Sequence, residues 1–152
     1  MWEIRADDLS DPMVRAFVDE HLDDMYAQTP PASVHALGVA ALRMPQVRLF
    51  TAWREGALAG MGAYVRIGPL DAEVKAMRTS IAARGRGLGR VLLNHLIAGA
   101  RAERIRTLWL ETGSGPKFAA ARGLYEAEGF VPCPPFGDYG EDPESVFYHR
   151  DI

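Results

Sequence analysis

The chain contains a single cysteine, Cys133, which excludes an internal disulfide and a four-thiolate metal site. Its four histidines, His21, His35, His95 and His149, show no HExxH pattern and no other paired zinc-ligand spacing. No stretch approaches the roughly 18 uncharged apolar residues of a spanning helix, so no membrane segment is expected. The opening MWEIRADDLSD lacks a basic start followed by an apolar run. A signal peptide is therefore not expected, and the expected location is the cytoplasm. Lysine is scarce, with only Lys75 and Lys117. Acidic residues (20) slightly outnumber basic ones (17), for a net charge of -3. A general nucleic-acid surface is not expected from that balance, although a local arginine cluster is compatible with it. Repeats and low-complexity segments are also missing.

What is present is an ordinary globular composition, 48% hydrophobic and 24% charged over 152 residues, which argues against disorder and for one domain spanning residues 1–152. Residues 1–6 read as a strand. Asp11-Pro12 then supplies an N-cap and first helical position. Met13, Val14, Phe17, Val18, His21, Leu22 and Met25 recur at helical spacing to about residue 27. Thr29-Pro30-Pro31 ends that helix, and Ser33 is placed to cap a second one through residue 42. From Val47 the period becomes two. Glu55-Gly56 reads as a hairpin turn between residues 47–53 and 57–67, and residues 71–81 as a further strand. Gly60 and Gly62 mark a bulge or close packing in the returning strand. A helix over residues 88–103 follows, with Val91, Leu92, His95, Leu96 and Ala102 toward the sheet. Then come a strand (107–111), a helix (117–128) capped by Gly129, a short strand from Phe130, a Pro- and Gly-rich loop (132–143) and a last strand (145–150). This order predicts a three-layer α/β/α sandwich around a mixed, mostly antiparallel sheet of six to seven strands.

The most informative segment runs Ser80-Ile81-Ala82-Ala83-Arg84-Gly85-Arg86-Gly87-Leu88-Gly89-Arg90, between a predicted strand and a predicted helix. Such a turn aims successive N–H groups at one spot, where the positive end of the helix dipole also acts. Missing Cβ atoms admit an anion closely, and Arg84, Arg86 and Arg90 add donors suited to phosphate. The reading is a pyrophosphate cradle. Its spacing is not the GxGxxG of a dinucleotide fold, and no lysine is present for a P-loop, so NAD and ATP are not the expected ligands.

On these residues the sequence resembles the GNAT N-acetyltransferase superfamily, whose [RQ]xxGxG[GA] signature is met in its first six positions by Arg84-Gly85-Arg86-Gly87-Leu88-Gly89. A second element, Ala121-Arg122-Gly123-Leu124-Tyr125-Glu126-Ala127-Glu128-Gly129-Phe130, matches AxxLYxxxGF. Residues 30–37, 73–78, 110–113 and 135–147 further resemble a narrower group of small bacterial GNAT proteins. The resemblance implies acetyl-CoA as cofactor, with its pyrophosphate on the amides of residues 84–90. It implies a pantetheine arm along Thr79, Ser80 and Ile81, with the thioester carbonyl polarised by a backbone N–H near Ile81. Phe118 stands where many members carry an asparagine that touches that arm. Tyr125 matches the family's acid, which protonates the leaving sulfur.

The base is open between Glu73, in the strand before the cradle, and Glu111, at the end of the strand TLWLE. Strand alternation predicts Glu73, Lys75, Met77 and Thr79 on one face and Val74, Ala76, Arg78 and Ser80 on the other. Glu73 is alternatively a partner for Lys75. A buried Arg78 needs a partner, either Glu111 or a substrate carboxylate. The acceptor site is expected from loops: His21, Met25, Pro31, Ser33 and His35 early, and Phe136, Asp138 and Tyr139 late. Cys133 is expected to be inert. The expected function is N-acetyl transfer from acetyl-CoA to the primary amine of a small molecule by direct attack in a ternary complex. Transfer to a hydroxyl, another acyl group, or a non-catalytic acyl-CoA sensor or interaction domain are the alternatives. No nucleic acid or membrane is expected as a partner. A short last strand makes a homodimer through sheet edges a further expectation.

Overall fold

The computed structural model describes residues 1–152. Glu3–Ala6 (β1), Val47–Arg54 (β2), Ala57–Arg66 (β3), Asp71–Thr79 (β4), Thr107–Gly113 (β5), Val131–Cys133 (β6) and Ser145–Asp151 (β7) form one sheet in the order β1-β2-β3-β4-β5-β7-β6. Only β4 and β5 pair in parallel, which is the mixed, mostly antiparallel sheet that the element order predicts. Glu55 and Gly56 join β2 to β3 with φ of 52° and 78°. Two consecutive left-handed residues give the turn whose twist matches that of a hairpin.

Pro12–Gln28 (α1) and Val39–Leu42 (α2) cover one face of the sheet. Leu88–Ala102 (α3) and Ala119–Ala127 (α4) cover the other. The Asp11 side chain accepts the Met13 amide at 2.8 Å, and Pro12 fills a position whose N–H would have no partner. Val14 and Val18 of α1 pack with Leu42, Leu49, Met61 and Ala63. Leu93, Leu96, Ile97 and Ala100 of α3 pack on Tyr64, Ala72, Val74, Leu108 and Leu110, with Tyr125 and Phe130 closing that layer. No helix is long and apolar enough to cross a membrane.

Four expectations need correction. The predicted helix over residues 33–42 shrinks to a 3-10 turn at Pro31–Ser33 and the four-residue α2. Ser33 is not its cap, because its hydroxyl donates to Asp142 Oδ2 at 2.6 Å. The buried stripe of α3 is Leu88, Leu92, Leu93, Leu96, Ile97 and Ala100, while Val91 is 41% exposed. The helix before Gly129 opens as a separate 3-10 turn, Pro116–Phe118. The last strand, finally, is not an edge: β7 lies between β5 and β6, and the edges are β1 and β6.

Candidate active site

β4 carries the decisive irregularity. Its pairing with β3 slips by one residue between Arg78↔Met61 and Lys75↔Ala63, and Ala76 has φ of 56°. This is a bulge, held at a backbone conformation that costs an L-residue about 1–2 kcal/mol. It reverses the alternation of the strand. Val74 and Met77 both face α3, while Lys75 and Arg78 both face α1. The predicted grouping of Arg78 with Val74 is therefore wrong, as is that of Thr79 with Glu73. Gly62 is part of the same device, since a Cβ there would lie 2.7 Å from Met77 Sδ.

β4 and β5 also part company. They pair only over Asp71, Ala72 and Glu73, so the β4 edge facing β5 has no strand partner from Val74 onward. A cleft of about 1090 Å³ opens between the diverging strands and runs from the start of α3 to the α1 face.

One end of the cleft is the glycine-rich turn. β4 stops at Thr79, where Ser80 donates its amide to Ala59 O at 2.8 Å and its hydroxyl accepts the Ala83 amide in a 3-10 turn, Ile81–Ala83. Gly85 and Gly87 then take φ of 74° and 82°, a region costly for other residues. None of the amides of Gly85, Arg86, Gly87, Leu88, Gly89 and Arg90 donates to another backbone group. A Cβ built on Gly85 or Gly87 meets nothing within 4 Å, so the cup is open. Six unpaired amides at the positive end of a 15-residue helix suit a pyrophosphate. Arg84 and Lys117 line this end. Arg90 lines it too, but its Nε is taken by Glu128 at 2.6 Å. Arg86, Ser80 and the 75%-exposed Ile81 stay outside the cleft, so the strand segment that borders it is residues 74–79 rather than 79–81.

Phe118 lines the same wall, and its ring lies on Gly113 so closely that a Cβ there would overlap it. Arg122 Nη1 clamps the intervening loop by donating to Gly113 O at 2.7 Å and Gly115 O at 2.9 Å. Gly113→Ala is expected to cost about 1–3 kcal/mol in urea denaturation by forcing the ring away. The Gly113→Ala/Phe118→Ala double variant should then be no less stable than Phe118→Ala alone.

In the middle of the cleft stand Glu111 and Tyr125. Glu111 receives one hydrogen bond, from Ser145 Oγ at 2.8 Å, and has no ion-pair partner. Burial pushes its carboxyl above the usual carboxylate range, against the opposing pull of that hydrogen bond and of His35 and Lys75. Tyr125 is 6% exposed, its ring edge-on to Phe130 at 5.8 Å. Burial, and secondarily the Glu111 charge, holds the phenol protonated well above its ordinary range.

Glu73, the other base candidate, does not line the cleft. Tyr139 donates its hydroxyl to Glu73 Oε2 at 2.5 Å, and Lys75 Nζ stands 3.4 Å from the same oxygen. Lys75 further donates to Tyr139 Oη at 2.8 Å and to His35 O at 2.9 Å. Glu73 is thus the partner of Lys75, and the group serves to tie the two loops to β4.

The α1 end of the cleft is lined by His21, Met25, Ser33, His35, Lys75, Arg78 and Glu144. Pro31, Phe136, Asp138 and Tyr139, expected there, lie outside the lining. Phe136 and Tyr139 instead form an aromatic layer with Trp109 and Phe147 behind it, and Asp138 is exposed. Arg78 does not pair with Glu111. Its Nη2 binds α1, at 2.7 Å from Asp24 and 3.2 Å from Glu20, and its guanidinium stands 5.6 Å from the Phe17 ring centre. Burial and the Arg78 charge lower the His21 pKa to about 4, so its ring is neutral. Cys133 is partly buried, and that burial raises its thiol pKa.

Asp24, Gln28, Thr29, Thr112 and Lys117 line the cleft without having been singled out in the sequence. For Asp24, Gln28 and Thr29 the signal was available: at three to eight residues from His21 they extend its helical face.

Comparisons with known proteins bear on the family and the fold. The family model for the acetyltransferase (GNAT) family matches residues 6–130. The chain is 44% identical over 149 residues to the uncharacterized N-acetyltransferase YsnE of Bacillus subtilis (strain 168), covering 98% of this chain and 99% of that one. It is 36% identical over 156 residues to the IAA acetyltransferase of Azospirillum brasilense, covering 97% and 95%. Among solved structures, a Bacillus subtilis acetyltransferase in complex with CoA superposes with a TM-score of 0.70 over 100% of this chain and 99% of that one, at 17% identity, which is a likeness of fold. With its amide cup, its parted strands and a family match over most of its length, the chain belongs to the GNAT family of acetyltransferases.

Proposed function

We propose that the protein moves the acetyl group of acetyl-CoA to the primary amine of a small molecule by direct attack in a ternary complex. One observation supports this above the others. A single cleft joins the unpaired amides of the glycine-rich turn at one end to an inward-facing carboxylate and phenol in its middle. The amides of residues 85–90, with Arg84 and Lys117, are suited to a diphosphate. The unpaired β4 edge offers backbone partners to an amide-bearing arm. Acetyl-CoA supplies an activated thioester carbonyl in this setting.

Glu111 then takes the proton from the incoming ammonium. Its raised pKa makes it a stronger base than an ordinary carboxylate. Tyr125 holds its proton at neutral pH and can give it to the departing sulfur. Both groups reach the same cleft from opposite layers, Glu111 from β5 and Tyr125 from α4.

The test is thiol release from acetyl-CoA over a panel of amines. Release should require an amine, and Glu111→Gln should lower kcat/KM by about 100-fold. A base works ionised, so kcat/KM should rise with pH through the Glu111 pKa. That ascending limb lies above the ordinary carboxylate range and should vanish in Glu111→Gln. Tight coenzyme binding without turnover on any amine would instead favour an acyl-CoA sensor.

A further inference from the structure

The α1 end of the cleft holds two nitrogens that the protein leaves without a hydrogen-bond partner. They are Arg78 Nε and His21 Nδ1, the only buried side-chain atoms in that condition. Burying an unpaired polar group is costly, so two together at one place in a lined cavity call for an explanation. The side chain of Arg78 is 8% exposed, and His21 is 8% exposed. Arg78 spends only Nη2 on the protein, on Asp24 and Glu20, which are themselves 42% and 61% exposed on α1. Its Nη1 and Nε remain available. Lys75, the other cation on this wall, has nothing to spare: its ammonium already serves His35 O, Tyr139 Oη and Glu73.

The opposite wall carries Glu111, on β5. Extending the β4–β5 register beyond Glu73↔Trp109 sets Glu111 level with Lys75. With the bulge taking up Ala76, Arg78 lies two pairing positions further on, a rise of about 7 Å along the strand. The cleft thus has a negative group and a partly unspent positive group facing one space, one on each of two parted strands. Side chains as long as Glu and Arg span such a gap with a small zwitterion between them.

We infer that the acceptor is an amino-carboxylate of the amino-acid class, its amine directed to Glu111 and its carboxylate to Arg78 with His21 beside it. This rests on the transferase reading for the role of Glu111 but not for the binding of the carboxylate. A carboxylate on Arg78 supplies the acceptor that Nε lacks, its two oxygens meeting Nε–H and Nη2–H, the pair of donors that share one edge of the guanidinium. An acceptor without a carboxylate would leave Nε unsatisfied, which is the stronger source of selection.

The experiment compares the common L-amino acids with their amides and with the corresponding decarboxylated amines. Acetyl-CoA is the donor for turnover, and coenzyme A-saturated protein is titrated calorimetrically for binding. At least one acid should exceed its own amide in kcat/KM by about 10- to 100-fold, and Arg78→Gln should shrink that ratio to within about threefold by raising KM for the acid alone. Asp24→Asn guards against a misfolded Arg78 variant. It frees Nη2 and should lower KM for the acid several-fold, about 3-fold or more, whereas a purely structural Arg78–Asp24 pair would give no tightening. Amides or decarboxylated amines used as well as acids, or equal losses for acid and amide in Arg78→Gln, would overturn the inference and leave the transferase standing. If nothing turns over, the binding arm decides. Acids that bind where amides do not uphold the carboxylate site and sink the transferase, and no preference for acids sinks the carboxylate site.

Discussion

Replacing Gly87 by valine should weaken coenzyme A binding by about 100-fold while leaving the protein folded. Gly87 sits at φ of 82°, directly before α3, and a Cβ added there meets no atom within 4 Å. The substitution therefore disturbs no packing. Its cost is conformational, because a β-branched residue in the left-handed region is strained by about 1–2 kcal/mol or more. The chain can relieve that strain only by rotating the peptide units whose amides form the cup. Each charge-assisted hydrogen bond lost is worth about 1.5–3 kcal/mol, so the loss of one or two accounts for the expected change. Gly140 is the control. It too has open space around its Cβ position, but it has an ordinary φ and stands apart from the cleft. Gly140→Val should change neither affinity nor melting temperature. Calorimetric titration decides the matter: a change in Kd of less than about threefold for Gly87→Val would mean that the amides do not anchor the coenzyme.

Tyr125→Phe should lower kcat by about 100-fold and leave coenzyme A affinity unchanged. The ring is buried and packs against Phe130, and phenylalanine preserves that contact. What is removed is a hydroxyl that serves as a proton store. Burial and the nearby Glu111 charge keep it protonated above the ordinary tyrosine value of 10.0, so no descending limb in kcat should arise from Tyr125 below that pH. Stability should change little, since the hydroxyl makes no hydrogen bond to any other residue on which the fold depends. An undiminished kcat in Tyr125→Phe would pass the protonation of the leaving sulfur to solvent. Together the two variants separate holding the donor from carrying out the transfer.

The unpaired amides disturbed by Gly87→Val were readable in the sequence, and Tyr125 was picked out by the family resemblance that its LYxxxGF motif carries. The roles of Glu73 and Arg78 were not. Alternation assigns Arg78 to the wrong face because a bulge at an alanine leaves no mark in composition: Ala76, unlike Gly85 or Gly87, does not advertise a positive φ. Glu73 and Glu111 are equivalent as letters. They differ in surroundings contributed by remote segments, since Tyr139 reaches Glu73 from 66 positions away and Ser145 reaches Glu111 from 34. The late loop misled for a related reason. FGDYG reads as an exposed binding loop, yet Phe136 and Tyr139 turn inward onto Trp109 and Phe147.

By itself the sequence determined the element order, the layers and the glycine-rich turn, because periodicity, caps and glycine torsions are properties of a few neighbouring residues. The tertiary structure alone decided where β4 and β5 separate, which carboxylate stays unpaired, and which arginine donors are left over. Those outcomes depend on strand register and on contacts between segments far apart in the chain, and such contacts are settled only when the layers pack.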